Sequence, residues 1–546
     1  MPATTIITAR KIITMNPGLP EASHVAIRDG RILAVGNAED MKFWPDAVID
    51  TRFADKVLMP GFVEGHSHIM EGSIWPYSYV GYFDRVSPDG VMVSGLKSID
   101  AVVERLKAVS DAMSDPNAIL FAWGFDPIYF NDRRMTRLDL DRVSTTRPVL
   151  IIHASFHIIN TNSFTLQKVG IDRSTNIDGV PKDADGEPAG ELQGPAARIR
   201  LFRGLQWNAL SDSVSSDSVR RFSRSAVING ATTVTDLHNE LTELCLADFR
   251  KETSAADFPM RLVPALSRIG ATTEQIIERI GKLKTTNSEK LYFGMVKLVV
   301  DGSIQGFTGR LRWPGYHNGA ENGLWYIAPN ELDEIVGKLH AAHVHMHIHT
   351  NGDEATELAI NAIEAAQIAH YWADHRHTLQ HCQMASPAQF KRMKALGICA
   401  NLFSNHIYYW GDQHYAITMG PERANRLNAA GTAKNLGVPF GLHSDAPVTP
   451  LRPLFTAWCA VNRITASGRL LGPDERLSVA DALAGITIGP AYTMRMDHLV
   501  GSIETGKFAD FVVLEQDPFA VDPMTLKDIP IWGTICGGQV FQAPKP

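Results

Sequence analysis

Eight short β-rich runs recur along the middle of this chain with helical patterns between them. That alternation constrains the fold more than any other feature. Parallel strands cannot be joined by tight turns; each pair needs a crossover, usually a helix. The runs end near His68, Leu237, Ala265, Asp301, His349, Cys382, Leu402 and Asp445. Eight units of this kind predict an α/β protein built on a (β/α)8 barrel.

The first gap is too long for one helix. Residues 79–214 are expected to form an inserted α/β subdomain, with a helix around Val102, Val103, Leu106 and Val109 and strands over 119–123 and 149–153. The barrel then takes 59–78 and 215–496. Near the start, Val25, Ile27, Ile32 and Val35 flank Asp29-Gly30, a strong hairpin signal. Residues 510–514 and 534–541 have the same strand-like texture. Neither end is large enough to make a good core alone, so 1–58 and 497–546 are expected to combine into one small β-domain.

Composition narrows the partners. The 546 residues are 45% hydrophobic and 20% charged, ordinary for a globular chain, and the net charge of -7 gives no reason to expect nucleic acid. No apolar run approaches the ~20 residues that span a bilayer. Residues 1–15 are strand-like and lack a signal-peptide pattern. The five cysteines, Cys245, Cys382, Cys399, Cys459 and Cys536, are scattered and read as buried free thiols of a reducing compartment. The expected setting is cytoplasmic and the expected partner a small-molecule substrate, with no membrane. Homo-oligomerisation stays open.

Catalytic groups of such barrels sit at the C-terminal ends of the strands. The first run ends in His66-Ser67-His68, and alternate residues of a strand share a face, so both rings can grip one ion. The fourth carries Lys297 inside an apolar stretch, the fifth reads His343 to His349, the sixth ends in Gln380-His381 and the eighth in His443-Ser444-Asp445. Imidazoles and a carboxylate at one mouth suit zinc or a similar divalent ion. Each has a plainer alternative. His349 lies nearest its strand's end, with His347 the alternative; Asp445 also suits a helix cap; Lys297 also suits a pair with Asp301.

These segments resemble the amidohydrolase superfamily, the urease- and dihydroorotase-related metal hydrolases. Within it they are most similar to the branch called amidohydrolase family 3, which includes N-substituted formamide deformylases. The match runs nearly the whole length. It is carried by Pro60-Gly61-Phe62-Val63-Glu64-Gly65-His66-Ser67-His68, by His349-Thr350-Asn351-Gly352-Asp353-Glu354-Ala355, by Ser444-Asp445-Ala446-Pro447 and by the stretch 500–510. The resemblance implies a distorted barrel beside a small β-sandwich built from both termini. It also implies metal binding by His66, His68, His349, His381 and Asp445. Lys297 stands where many relatives carry a carboxylated lysine bridging two metals, so one or two ions, zinc first, are implied. Two departures concern the substrate: Ser155-Phe156-His157 replaces the branch's Asp-Gly-His, and a glutamate is missing near Gly194.

The expected reaction is hydrolysis of a non-peptide C–N bond, an amide or N-substituted formamide, with Asp445 as general base and acid. His157, His238 and His443 are candidates to polarise the carbonyl. Trp75, Tyr82, Phe83, Trp123, Tyr129, Trp313 and Tyr409 fall in the insertion and strand-end loops and suggest an aromatic or apolar substrate, with Trp123 and Trp313 set against it. A mononuclear deaminase of the same fold is the rival enzyme. Such relatives typically place a glutamate three residues after the strand-five histidine, where this chain has Gly352. A binding or scaffold protein on an inactive barrel is the rival from another class.

Overall fold

The computed structural model describes residues 4–130, 133–207, 214–268 and 270–544. Eight parallel strands form the central sheet: β1 (Phe62–Glu64), β2 (Ala231–Asn239), β3 (Arg261–Ser267), β4 (Met295–Val299), β5 (His345–Thr350), β6 (Thr378–His381), β7 (Cys399–Leu402) and β8 (Phe440–Leu442). They lie side by side in chain order, as a (β/α)8 barrel requires. Arg-Leu-Val-Pro-Ala-Leu-Ser in β3 and Met-Val-Lys-Leu-Val in β4 are nearly continuous apolar runs because both faces of the wall are covered.

The barrel is distorted at its closing seam. No ladder joins β8 to β1. The edges meet just beyond the strands, where Asp445 N donates to His66 O at 2.9 Å and His68 N donates to Ala446 O at 2.8 Å. The helices between strands have local causes. Pro387–Leu396 starts from a capping box of Ser386 and Gln389, has proline in its first turn, and ends on Gly397 at φ 73°. That helix covers the outer wall and leaves the strand ends free.

Within the insertion, Ser78–Tyr79, Leu120–Phe125, Val149–His153, Ile158–Thr161 and Glu191–Gln193 make a five-stranded sheet. The expected helix is Ile99–Ala112, capped by Ser98 and burying Val102, Val103 and Leu106. The two chain ends meet in one sheet of seven strands. Val48–Pro60 at its centre pairs in parallel with Thr5–Ile13 and antiparallel with Phe511–Leu514. Ile7 and Val25 pack on one face of it, Ile6 and Ala26 on the other. The expected hairpin is present: Glu21–Arg28 and Arg31–Gly36 pair antiparallel, and Asp29 and Gly30 both have the positive φ that such a two-residue turn demands.

Arg261 of β3 ties this sheet to the barrel. Its Nε and one terminal nitrogen donate to the two oxygens of Asp510 at 2.6 and 2.9 Å, fully buried, over the ring of Phe508. All five cysteines are buried and free. Among the described residues no helix is long and apolar enough to cross a membrane.

Candidate metal centre

Strand geometry decides which histidines reach the mouth. In the β4–β5 register Lys297 lies beside His347 and Val299 beside His349. His345, His347 and His349 therefore point to the barrel interior at three depths. The deepest is bound to Arg376 O and the middle one to Thr493 O. His349 is uppermost; its Nε2 donates to Gly302 O at 3.2 Å, and its Nδ1 faces His381 Nε2 at 3.0 Å.

Plain alternation would put Gln380 and His381 on opposite faces. His381 has φ 70°, however, and its ring turns inward as well. Asp445 has φ 54°. A left-handed backbone at a non-glycine residue costs about 1–3 kcal/mol and persists where surrounding structure enforces it, commonly at functional sites. Two of the expected ligands are held in this way.

The result is a buried cluster. Asp445 Oδ1 lies 3.1 Å from His68 Nε2 and 3.4 Å from His66 Nε2, and its Oδ2 is 3.7 Å from His381 Nδ1. His66, His68 and Asp445 each bring a ligand atom within 4.8 Å of the others, and so do His66, His381 and His443. Lys297 Nζ is 3.5 Å from His66 Nε2.

A hydrogen-bond chain sets the tautomer of His66. Its Nδ1 donates to Gln380 Oε1 at 2.7 Å; Gln380 Nε2 donates to His347 Nδ1 at 2.7 Å; His347 Nε2 donates to Thr493 O at 3.1 Å. His66 Nε2 is left as a lone pair aimed into the cluster, the usual way a ligating histidine is oriented from behind. Sequence reasoning gave Gln380 no role, although a polar residue inside a short buried strand was a usable signal.

Burial, reinforced by the Lys297 charge, holds His66, His349 and His381 well below the usual histidine value, so their rings are neutral, the ligating form. Burial pushes the Lys297 amine down to about 7. Burial would also raise Asp445, but the hydrogen bond and charge of His68, with the charges of His443 and Lys297, outweigh it and hold the carboxylate below its ordinary range.

The alternative pairing of Lys297 with Asp301 is not formed. Asp301 accepts the backbone N–H groups of Arg310, Asn351 and Gly352, each at 2.9 Å, and so fixes the loop after β5. The cluster fits a divalent cation on its own evidence: His381 Nδ1 and both ring nitrogens of His443 are buried without a hydrogen bond of good geometry. Unpaired buried polar atoms are costly, and an ion supplies what they lack.

The remaining expected site residues divide. His157, from the insertion, brings its ring within 5.7 Å of His349 and its Nδ1 within 3.2 Å of the Tyr326 hydroxyl. His238 is exposed at the end of β2, with Nδ1 3.2 Å from Ser267 Oγ. The two tryptophans are not brought into the cluster. Trp123 is buried inside the insertion against Trp75 and Tyr79, and Trp313 is 94% exposed on a loop. Other expected pocket aromatics pack on one another: Tyr82 stacks on Tyr129 at 4.8 Å, and Phe83 meets Tyr409 edge-on at 4.9 Å. They join the insertion to the barrel beside Pro447 around a cavity of only about 30 Å³.

An eight-stranded parallel barrel with histidines and an aspartate at its C-terminal mouth defines a class, and comparison with known proteins places the chain in it. The chain belongs to the amidohydrolase family, whose model matches residues 49–542. It is 28% identical over 535 residues to the protein LONG AFTER FAR-RED 3 of Arabidopsis thaliana, covering 95% of this chain and 88% of that one. It is 25% identical over 530 residues to the N-substituted formamide deformylase of Arthrobacter pascens, covering 95% and 94%. Its fold matches the crystal structure of an uncharacterized metal-dependent hydrolase from Pyrococcus horikoshii with a TM-score of 0.71 at 20% identity, covering 95% and 99%.

Proposed function

We propose that this protein is a metal-dependent hydrolase that cleaves the C–N bond of a small non-peptide amide or N-substituted formamide. The observation that carries the reading is Asp445, an ionised carboxylate between the rings of His66, His68 and His381. His66, His68, His349, His381 and Asp445 would hold the ion, zinc first. When bound, such an ion lowers the pKa of water and polarises a carbonyl oxygen.

The chain's own groups do the rest. Asp445 accepts the proton of the attacking water on a carboxylate oxygen and returns it to the leaving nitrogen. His157 and His238 flank the cluster and offer ring N–H groups to the carbonyl oxygen. A glutamate shuttle of the deaminase type is missing, since Gly352 occupies that position and its N–H is engaged by Asp301. The formamide deformylase relative supports the choice of bond.

Lys297 extends the proposal. A buried amine near 7 has a neutral fraction at physiological pH, which can add carbon dioxide, release a proton and become an anionic carbamate suited to bridging two ions. Electron density at Lys297 Nζ in crystals of zinc-loaded protein tests this; a bare amine there removes the bridge.

The decisive experiment is a turnover screen of zinc-reconstituted protein on N-substituted amides, formamides and carbamates, with Asp445→Asn in parallel. Wild-type-like turnover by that variant sinks the assignment. An apolar substrate is tested by comparing kcat/KM for an N-benzyl amide and its N-methyl analogue. Each buried methylene can add only about 1–3 kcal/mol of discrimination, so the preference should be graded. Equal values discard it.

A further inference from the structure

The barrel seam has a gap in its ladder just below the cluster, and one side chain fills it. Glu64, the last residue of β1, is buried at 2% exposure. Its Oε1 accepts the backbone N–H of His66 at 3.1 Å. Both its oxygens accept the N–H of Ser444 at 3.2 Å, and Oε2 accepts the Ser444 hydroxyl at 2.7 Å. The two residues it holds therefore lie on opposite sides of the seam. Ser444 is next to Asp445 and His443; His66 is itself an expected ligand.

We infer that Glu64 is a positioning residue: a hydrogen-bond clamp that stands in for the absent β1–β8 rung and sets the spacing between the His66/His68 arm and the Asp445 arm. Among the described residues the only main-chain rungs across this edge are those at His66–Asp445 and His68–Ala446, both beyond the ends of β1 and β8. Below them the edges are joined through the Glu64 carboxylate. Without it, the spacing between the arm carrying Asp445 and the arm carrying His66 rests on those two rungs alone. Ligands to one ion tolerate little displacement, and groups that orient ligands from behind typically contribute 10–100-fold to metal affinity.

The clamp depends on accepting hydrogen bonds, not on charge, and two near-isosteric variants separate these. In Glu64→Gln the carbonyl oxygen can accept both N–H groups while the amide donates to the Ser444 hydroxyl. Glu64→Met has the length and no acceptor. The readouts are zinc affinity by competition with a chromophoric chelator and the visible absorption of the cobalt-substituted protein, on samples shown to be folded by circular dichroism. Glu64→Met should bind at least about tenfold more weakly with an altered cobalt spectrum, while Glu64→Gln stays within about threefold of wild type.

Equal affinity in all three proteins overturns the clamp, and so does an equal loss in both variants, which would assign the role to charge. A wild type that binds no metal instead fails the metal-centre reading on which the clamp rests. If Glu64→Met does not fold, Ser444→Ala, which removes only the hydroxyl donor, must show a measurable loss of affinity; unchanged affinity there also overturns the clamp.

Discussion

The two ends of the barrel both carry dense histidine clusters, and they differ in how their ring nitrogens are used. At the base, Met346 N donates to His377 Nδ1, His377 Nε2 donates to His340 Nδ1 at 2.9 Å, and His340 Nε2 donates to His370 O at 2.8 Å. His375 accepts from His377 N and donates to Leu396 O at 2.7 Å. Each of those three rings has both nitrogens satisfied. At the mouth, both nitrogens of His443 and one of His381 make no hydrogen bond of good geometry, and two residues hold a left-handed backbone. Histidine density does not distinguish scaffold from site; hydrogen-bond saturation does.

The largest test of that contrast removes the base at the mouth. Asp445→Asn keeps shape and loses the proton acceptor, so kcat should fall about 10²–10⁴-fold while the thermal melt stays in place. A parallel loss of stability would mean that Asp445 is scaffold.

Asp510→Ala strikes the opposite kind of residue, leaving the Arg261 guanidinium buried without its carboxylate. Removing one partner of such a pair costs about 3–5 kcal/mol, readable by denaturant unfolding, and zinc bound per folded molecule should not change. A stable variant with altered metal content would reverse the division.

His377→Leu sharpens the comparison within one residue type. It strands the Met346 N–H in the base and should cost about 1–3 kcal/mol of stability without loss of zinc. His381→Leu should lose zinc. If both variants lose metal equally, saturation is no guide to function.

Trp313→Ala defines the small end. At 94% exposure it should move stability by no more than about 0.5 kcal/mol and leave kcat/KM unchanged within error. A large rise in KM would return this tryptophan to the substrate.

Much of this was legible in the chain. The strand–helix alternation yielded eight barrel strands, and Asp29-Gly30 marked its hairpin. His66, His68, His349, His381 and Asp445 were read as strand-end residues; the structure puts His66, His68 and His381 3.1–3.7 Å from Asp445, with His349 against His381. Aromatic residues were less informative. In the sequence the rings expected to face substrate, Trp123 and Trp313, looked no different from Tyr82 and Phe83, which pack the insertion against the barrel. A large apolar ring serves either purpose, and only its neighbours tell which.

By itself the sequence determined the strand periodicity, and with it which side chains share a face, because a backbone alternation of two is a local property. It also supplied the candidate ligand types. Three things were left to the tertiary structure. The positive φ at His381 turned its ring inward against the local alternation. Gln380 and Glu64 gained their roles only when partners hundreds of residues away were brought beside them. Which histidines between His340 and His381 are saturated at the base and which reach the mouth was set by their surroundings. Hydrogen-bond satisfaction is a property of the folded neighbourhood, and no pattern within one strand encodes it.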